Sequence, residues 1–230
     1  MNGLLIVNKS LYYTSMDVIR ILRKLTGVKK IGHAGTLDPL ATGVLLVCIG
    51  KEATKKIDQF MNMEKEYTAE INLSSFSETD DSEGPLINVG VKVAPSLDEI
   101  NNCLRKFVGE IEQVPPKYSA IKVNGKSAYK RARQGEHVQL KSRTVFIKKI
   151  ELLSYEWPLL KVQVVCGKGV YIRSLARNIG ECLQTGGYVK SLIRTRIGQF
   201  NLLQAIGLEV LAKNPELIKE EIQKRVIQVI

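Results

Sequence analysis

This sequence of 230 residues lacks the features of a membrane-spanning or secreted protein. It contains no stretch of about 18 apolar residues, so we expect no membrane-spanning helix. Its opening residues, MNGLLIVNKS, have neither the basic region nor the small-residue cleavage site of a secretory signal, and predict a first β-strand over residues 3–7. The four cysteines form no CxxC pair and lie in apolar segments, which predicts buried, reduced thiols in a cytoplasmic protein.

Several catalytic motifs are missing too. The two histidines, His33 and His137, have no metal-ligand spacing to each other or to a cysteine, so we expect no metal centre. No Ser-His-Asp or nucleophile-elbow pattern occurs. The tripeptide Gly125-Lys126-Ser127 is similar to the end of a P-loop, but Ala120 stands where the upstream glycine is required. The pair Asn124-Gly125, which overlaps this tripeptide, instead predicts a type I′ hairpin turn.

Acidic residues are scarce relative to basic ones, 23 against 34, which gives a formal net charge of +11 and a pI near 9.5. Such an excess favours a polyanionic partner, above all nucleic acid, although a solvated basic surface without such a partner has the same composition. The basic residues cluster in Lys126–Arg133, Lys141–Lys149 and Arg194–Arg196. Clustering favours the nucleic-acid interpretation, because a patch is typical of phosphate contacts.

Hydrophobic periodicity predicts a mixed sheet with helices on it, in one domain of catalytic size. One predicted helix is capped by Thr14 or Ser15 and ends at Gly27, and a second is opened by the capping box Ser96–Glu99. A third is entered from the loop that contains Tyr171 and Arg173. The predicted strands cover residues 3–7, 44–49, 67–73, 143–155 and 159–166, with a loop before residue 44 and one or two short helices at the end. Residues 74–95, rich in Ser, Asp, Glu and Gly, are the least core-like.

One acid stands out in this pattern. Asp38 lies between Gly35 and Pro39 in a glycine-rich bend, IGHAGTLDPLATGVLLVCIG, that leads into a strongly apolar run. An aspartate before proline commonly caps a turn. Alternatively, Pro39 fixes an extended backbone at Asp38 and the glycines let a ligand approach closely, as a catalytic carboxylate needs. Tyr171 and Arg173 offer an aromatic face and a planar cation to such a site, but could equally be surface residues.

A family resemblance decides between these alternatives. Residues 32–45, GHAGTLDPLATGVL, closely resemble the signature of the TruB family of pseudouridine synthases, which modify uridine 55 in the T-loop of tRNA. Four further blocks agree in order: KEYTAEINL (65–73), QVPPKYSAIKVNGKSAYKRARQG (113–135), KGVYIRSLARNIG (168–180) and LIRTRIGQF (192–200). The resemblance implies an α+β fold with a mixed, mainly antiparallel central sheet flanked by helices. It implies a catalytic domain over residues 1–200 with a basic thumb at about 124–150. Residues 201–230 would then form a short helical extension, without the PUA domain of many relatives.

The resemblance also implies roles for single residues. Asp38, Tyr67 and Arg173 are the catalytic set, with Arg173 paired to Asp38. The expected lining of the uridine pocket consists of His33, Tyr67, Tyr171 and Leu192. The expected RNA contacts of the thumb are Lys126, Lys130, Arg131 and Arg133. The predicted substrate is the T-arm stem-loop of tRNA, with no cofactor, no membrane and no protein partner, and we expect a monomer.

The chain departs from the family pattern at Asn8-Lys9-Ser10, at Ser74–Thr79 and at Asn178, where Asp-Lys-Pro, a Gly-x-x-Thr-Asp-Thr stretch and an aspartate are usual. Asp38, Tyr67, Tyr171 and Arg173 together favour a tRNA-modifying enzyme, and two alternatives to it stay open. One is a catalytically weak relative that binds RNA or helps tRNA to fold. The other is a rewired sister enzyme that acts on ribosomal RNA.

Overall fold

A computed structural model of the protein describes residues 1–119, 121–123, 126–134, 136, 140–213, 220 and 222–228. For residues 122–123, 126–127, 130, 132–133 and 211–213 it describes the backbone alone. The strands are β1 (Gly3–Lys9), β2 (Ile31–His33), β3 (Ala41–Ile49), β4 (Lys65–Asn72), β5 (Ser75–Ser77), β6 (Leu86–Asn88), β7 (Gly109–Gln113), β8 (Lys122–Val123), β9 (Lys126–Ser127), β10 (Arg143–Glu156), β11 (Leu159–Cys166), β12 (Tyr188–Ile197), β13 (Phe200–Asn201) and β14 (Ile206–Gly207). The helices are α1 (Ser15–Thr26), α2 (Lys51–Lys55), α3 (Ile57–Asn62), α4 (Leu97–Arg105), α5 (Ala128–Arg133), α6 (Ile172–Leu183) and α7 (Leu208–Lys213).

The chain forms two compact units, Met1–Tyr67 with Leu192–Ile230, and Thr68–Ser191. The boundaries between them fall inside β4 and β12. The sequence predicted one catalytic domain over residues 1–200 and an extension over 201–230, and that division stays a prediction. No helix in the described part of the chain is long and apolar enough to span a membrane.

In the first unit, β3 is the central strand of a sheet with the order β14-β1-β3-β12. It pairs antiparallel with β1, from Gly3 opposite Ile49 to Lys9 opposite Gly43, and parallel with β12. Neighbours on both sides leave no edge to water, and every residue from Val44 to Ile49 is fully buried. This run is therefore apolar without alternation, as the sequence shows.

Helix α1 begins and ends where its sequence predicts. Thr14 accepts a hydrogen bond from the Asp17 backbone N–H, and the Asp17 carboxylate accepts one in return from the Thr14 N–H. Gly27 ends the helix in the left-handed conformation. Such a cap stabilises a helix by about 1 kcal/mol. Because Thr14 is the cap, the neighbouring Ser15 side chain is available for another contact.

In the second unit the strand order is β4-β11-β10-β7, and β10 pairs antiparallel with both β7 and β11. The capping box Ser96–Glu99 opens α4 as predicted. Helix α6 buries the apolar face that contains Leu175, Ala176 and Ile179. The predicted class is confirmed: the sheet is mixed, with parallel β1–β14 and β3–β12 pairs beside the antiparallel β1–β3, β10–β11 and β7–β10 pairs. The four cysteines are free thiols; three are buried, as predicted, and Cys182 is half-buried.

Four local predictions need correction. The loop predicted before residue 44 is shorter, because β2 pairs with β3 and β3 already begins at Ala41. Residues 143–150 of the predicted thumb belong to β10, a 14-residue strand of the sheet. Residues 74–95 are not all surface: they contain the β5–β6 pair and bury Ser75, Ser77, Asp80 and Asp81. Residues 201–230 are not purely helical, since β14 pairs with β1 and Ile227 exchanges two backbone hydrogen bonds with Leu4.

The predicted hairpin is present as an antiparallel β8–β9 pair. Its turn, Asn124-Gly125, lies outside the described residues, as do Ala120 and His137.

Candidate active site

The loop that carries Asp38 covers residues 34–40, between β2 and β3. It is fastened to α1 through Ser15, whose hydroxyl is buried. The Leu37 N–H donates to Ser15 Oγ at 2.9 Å, and the Ser15 hydroxyl donates to the Leu37 carbonyl at 3.1 Å. This pair of bonds fixes the backbone immediately before Asp38. On the other side, the Ala41 N–H donates to the Asp38 carbonyl at 3.0 Å and closes the turn.

Lys9 is a second fastening point for this loop. Its side chain is fully buried, and its ammonium donates to the carbonyls of Ser10 (3.0 Å), Tyr13 (2.6 Å) and Pro39 (3.4 Å). Burial lowers the pKa of Lys9 to about 8, an effect that the charge of Asp38 opposes and that of Arg194 reinforces. Lys9 therefore joins the segment after β1 to the residue that follows Asp38.

Arg194 is the third residue that holds the Asp38 loop in place. It is only 1% exposed, and its guanidinium donates to the carbonyls of Val44 (2.7 Å), Gly35 (3.0 Å) and Thr36 (3.4 Å). The sequence predicted Arg194–Arg196 as part of a phosphate-binding patch, which is wrong for Arg194 and stays a prediction for Arg196. Arg194 is inside the protein, and Arg196 is paired with Glu64 at 2.9 Å.

Gly43 explains how Arg194 reaches this position. The two residues face each other across the parallel β3–β12 pair. A Cβ atom on Gly43 would lie 2.3 Å from the Arg194 carbonyl oxygen, and the φ of Gly43 is +105°. Only glycine fits both conditions. This glycine, which belongs to the quoted signature, therefore brings the backbone of β12 against the loop.

Asp38 itself is partly exposed, at the surface of this fastened loop. Within the described residues, the hydrogen bonds of Lys9 and Arg194 go to neutral carbonyls, so their charges are not cancelled by those bonds. Buried positive charge favours the anionic form of a nearby acid. The arrangement can therefore present one carboxylate in a fixed position.

The other predicted residues of this unit lie on its strands. His33 closes β2, and no hydrogen-bond partner for its buried Nδ1 is found in the described part of the chain. Burial lowers the pKa of His33, and the charge of Arg194 lowers it further, so its imidazole is neutral at pH 7. Tyr67 in β4 and Leu192 in β12 are each 9% exposed. Leu192 is opposite Ala41, at the point where the loop enters β3.

The second unit holds Tyr171 just before α6. The two ends of the Gln113 amide clamp its backbone: the Tyr171 N–H donates to Oε1 at 2.8 Å, and Nε2 donates to the Tyr171 carbonyl at 3.1 Å. Arg143 lies 5.0 Å from the centre of the tyrosine ring and also donates to the Gly169 carbonyl. The sequence missed both residues, since Gln113 ends a strand without any motif and Arg143 looked like part of the basic patch.

Arg173 is buried in the first turn of α6. Its guanidinium donates to the carbonyls of Thr79 (3.1 Å) and Tyr118 (3.0 Å) and to the Asp81 carboxylate (3.2 Å). The predicted pairing of Arg173 with Asp38 joins residues of different units and stays a prediction. Asp81 is a partner that the sequence did not predict, because two adjacent aspartates in a polar segment look solvent-exposed.

A second ion pair lies beside this one. Arg177 is one helical turn after Arg173, and it donates to the Asp80 carboxylate at 2.5 Å and to the Val114 carbonyl at 2.8 Å. Burial raises the pKa of Asp80 to about 6, although the charges of Arg177 and Arg173 act in the opposite direction. Two arginines and two aspartates thus form one buried cluster.

The predicted RNA contacts lie in β9 and α5. Among these four residues, the structure describes only the side chain of Arg131, which pairs with Glu136 at 2.5 Å. The side chains of the other three, Lys126, Lys130 and Arg133, lie outside the described part. Their role in binding stays a prediction.

Comparison with known proteins identifies the family. Residues 23–172, well over half of the chain, match the family described as TruB family pseudouridylate synthase (N terminal domain). This chain belongs to the TruB family. It is an isomerase that forms pseudouridine, as the sequence predicted. Relatives of the TruB family align over nearly its whole length: it is 43% identical to the tRNA pseudouridine synthase B of Parabacteroides distasonis, covering 98% of this chain and 95% of that protein. It is also 43% identical to that of Clostridium tetani, covering 96% and 75%.

Solved structures show the same fold. The chain is similar to a chain in the crystal structure of a Cbf5-Nop10-Gar1 complex, with a TM-score of 0.76 and 28% identity, covering 98% of this chain and 60% of that one. It is similar to a chain of an H/ACA RNP bound to a substrate RNA containing 2'-deoxyuridine, with a TM-score of 0.72 and 27% identity, covering 98% and 58%. This TruB-family chain thus spans about 60% of those longer chains, and its predicted pseudouridine synthase fold is confirmed.

Proposed function

We propose that this protein isomerises uridine 55 to pseudouridine in the T-loop of tRNA, with Asp38 as the catalytic nucleophile acting on a flipped-out uridine. The observation that carries the proposal is the fastening of the Asp38 loop by Ser15, Lys9 and Arg194. A surface turn needs no such set of buried contacts. The names of the relatives, tRNA pseudouridine synthase B, support tRNA as the substrate.

The reaction rearranges one nucleotide and consumes nothing else. The bond between uracil N1 and ribose C1′ breaks, the uracil turns, and C5 bonds to C1′. C5 loses a proton and N1 gains one, so the product is an isomer. No electron is exchanged with a second molecule and no group is donated, so the chemistry needs no cofactor.

Asp38 serves this reaction by one of three routes: attack on C1′, addition to C6, or removal of a ribose proton. Each route starts from a carboxylate anion. The charges of buried Lys9 and Arg194 favour that anion, and the loop contacts keep it in one place. Carboxylates act on an electron-poor anomeric carbon in the same way in glycosidases.

The remaining residues would hold the uridine. Tyr67 would stack on the uracil and help to remove the C5 proton, while Tyr171 and Leu192 would close the pocket and exclude water, so that the detached base stays bound. The neutral imidazole of His33 would occupy the space that the extruded base leaves. Extrusion costs a few kcal/mol, and basic thumb residues would offset it through phosphate contacts.

The test is Asp38→Asn, assayed on a T-arm stem-loop for product and for binding. We expect no pseudouridine and an affinity within a few fold of wild type, because phosphate contacts dominate RNA affinity. The matched control is Asp58→Asn, an exposed acid of the same unit, which should change neither. Substantial turnover by Asp38→Asn would refute the nucleophile. Turnover of ribosomal RNA but not of tRNA by the wild type would refute the substrate.

A further inference from the structure

An exposed apolar segment follows β1. Four large apolar side chains stand in water within six residues: Leu11 (43% exposed), Tyr12 (74%), Tyr13 (42%) and Met16 (44%). Single exposed apolar residues are normal, but a contiguous group of them on a charged, basic protein indicates a contact surface. Two of the four are tyrosines, whose rings are large, rigid and able to stack.

Tyr12 also has an unusual backbone. Its φ is +65°, in the left-handed region that a bulky side chain rarely adopts. Glycine would take this conformation without strain. A bulky aromatic residue is kept here at a cost to folding, and its ring makes up none of the core. Strain of this kind is concentrated where a site has a function.

The segment is bonded directly to the loop of the candidate active site. The Tyr12 N–H donates to the Pro39 carbonyl at 2.8 Å, and Lys9 donates to the carbonyls of both Tyr13 and Pro39. Pro39 is the residue after Asp38. The backbone of Tyr12 is therefore hydrogen-bonded to the residue that follows Asp38.

We propose that Tyr12 and Tyr13 form a stacking platform for an unpaired base of the RNA substrate, next to the uridine at Asp38. The proposal rests on the proposed function, because it needs an RNA with one nucleotide extruded toward Asp38. Extrusion of that nucleotide removes a stacking partner from its neighbours in the strand. An aromatic side chain can replace that partner with any base, since every base has a π-face. The net charge of +11 suits the same occupant.

The test separates the ring of Tyr12 from its backbone. Tyr12→Gly removes the ring, keeps the N–H bonded to Pro39 and relieves the strain, whereas Tyr12→Phe keeps the ring. We expect Tyr12→Gly to bind a T-arm stem-loop about tenfold more weakly, the effect of losing one stacked base. Its Tm should be no lower than that of the wild type, and Tyr12→Phe should bind normally. The matched control is Gln184→Gly at φ +55°, which relieves strain elsewhere and should leave affinity unchanged.

A double-mutant cycle identifies the base. Affinities are measured for wild type and Tyr12→Gly, each also carrying Asp38→Asn to prevent turnover, on stem-loops with an abasic nucleotide on the 5′ or 3′ side of the target uridine. At one of the two abasic positions, the affinity of the protein that keeps the Tyr12 ring should fall by about tenfold, whereas the affinity of Tyr12→Gly should not change. Equal losses for both proteins at both positions would overturn the proposal, as would wild-type affinity in Tyr12→Gly. A concentration-dependent dimer that Tyr12→Gly abolishes, seen by sedimentation, would reassign the surface to a second copy of this chain.

The outcomes distinguish a failure of this proposal from a failure of the proposed function. If Asp38→Asn retains turnover, the catalytic assignment is wrong and the stacking measurement still stands. If Asp38→Asn is inactive and Tyr12→Gly binds normally, the platform alone is refuted.

Discussion

Two buried arginines, one in each unit, are held in opposite ways. Arg194 in the first unit donates to three backbone carbonyls. Arg173 in the second unit donates to two carbonyls and to the Asp81 carboxylate. Arg177 and Asp80 add a further pair beside Arg173, so each of these two arginines has a carboxylate partner. Carbonyl oxygens satisfy the donors of Arg194 but leave its charge in place.

The first unit thus keeps a positive interior next to the loop that presents Asp38. A buried cation without a counter-charge is costly, and here both Lys9 and Arg194 contribute to that cost. A carboxylate at Asp38 offsets it. We infer that the carboxylate partners in the second unit hold Arg173 in position, while the buried cations of the first unit favour the charged form of the reacting acid.

Removal of Arg194 should have the largest effect on stability and on kcat. Arg194→Met removes the donor of the buried Val44 carbonyl, at about 1–3 kcal/mol, and the donor of the part-buried Gly35 and Thr36 carbonyls, at about 0.5–1.5 kcal/mol each. We expect about 4 kcal/mol of lost stability, measured from the urea midpoint, and a loss of kcat from a disordered Asp38 loop. Arg196→Met is the control on the same strand. That arginine is partly exposed and should cost less than about 1 kcal/mol. Normal kcat in folded Arg194→Met would show that the loop keeps its shape without the guanidinium.

Neutralising Asp81 tests the paired cluster of the second unit. Asp81→Asn keeps the shape but leaves Arg173 with a buried charge and no carboxylate from this partner, at a cost of about 3 kcal/mol. If Arg173 is a positioned catalytic group, kcat should fall with little change in KM. Glu78→Gln, an exposed acid on the same segment, is the control and should change neither stability nor rate. A rise in KM alone would indicate that Arg173 acts in binding.

Lys9 should make the stability of the first unit depend on pH above neutrality. Burial lowers its folded pKa to about 8, so the unfolded chain holds this proton more tightly and the cost of the buried charge is present below that pH. As pH rises from 7 to 9.5, the stability of wild type relative to Lys9→Met should increase by roughly 1–2 kcal/mol. Activity should change in the opposite direction and fall near pH 8, since Asp38 loses a cation. A pH-independent difference in stability would contradict the buried ammonium.

Asp80 should make the stability of the second unit depend on pH below neutrality, with a smaller effect. Its folded pKa of about 6 lies above its ordinary value, so the folded state binds the proton more tightly. From pH 7 to 5, wild type should gain about 1 kcal/mol of stability relative to Asp80→Asn, measured by urea titration at each pH. A loss instead of a gain would mean that the attraction of Arg177 and Arg173 outweighs burial.

Local chemistry explains what the sequence predicted well. The ends of α1 are encoded by Thr14, Asp17 and Gly27, all within the helix and its caps. The long strands β10 and β11 are encoded by their own alternation and end within a residue of their predicted bounds. The Asp38 loop was recognised because its glycines, proline and acid are contiguous.

The contacts that support the site could not be predicted in this way. Arg194 and Arg196 are two residues apart on one strand and look alike in the sequence, yet one is buried and the other is not. Only the approach of β3 at Gly43 distinguishes them, and that is a contact across about 150 residues of chain. The burial of Asp80 and Asp81 likewise depends on α6, more than ninety positions away.

The way in which the Asp38 loop is fastened has a consequence for its evolution and for its reuse in design. Ser15, Lys9 and Arg194 form hydrogen bonds with main-chain atoms of the loop and not with its side chains. The side chains at exposed positions such as Thr36 can therefore vary freely while the curve of the backbone is inherited unchanged. Transfer of the loop into another protein has a different requirement. The loop sequence grafted into another scaffold would lose its conformation unless the three distant anchors were grafted with it.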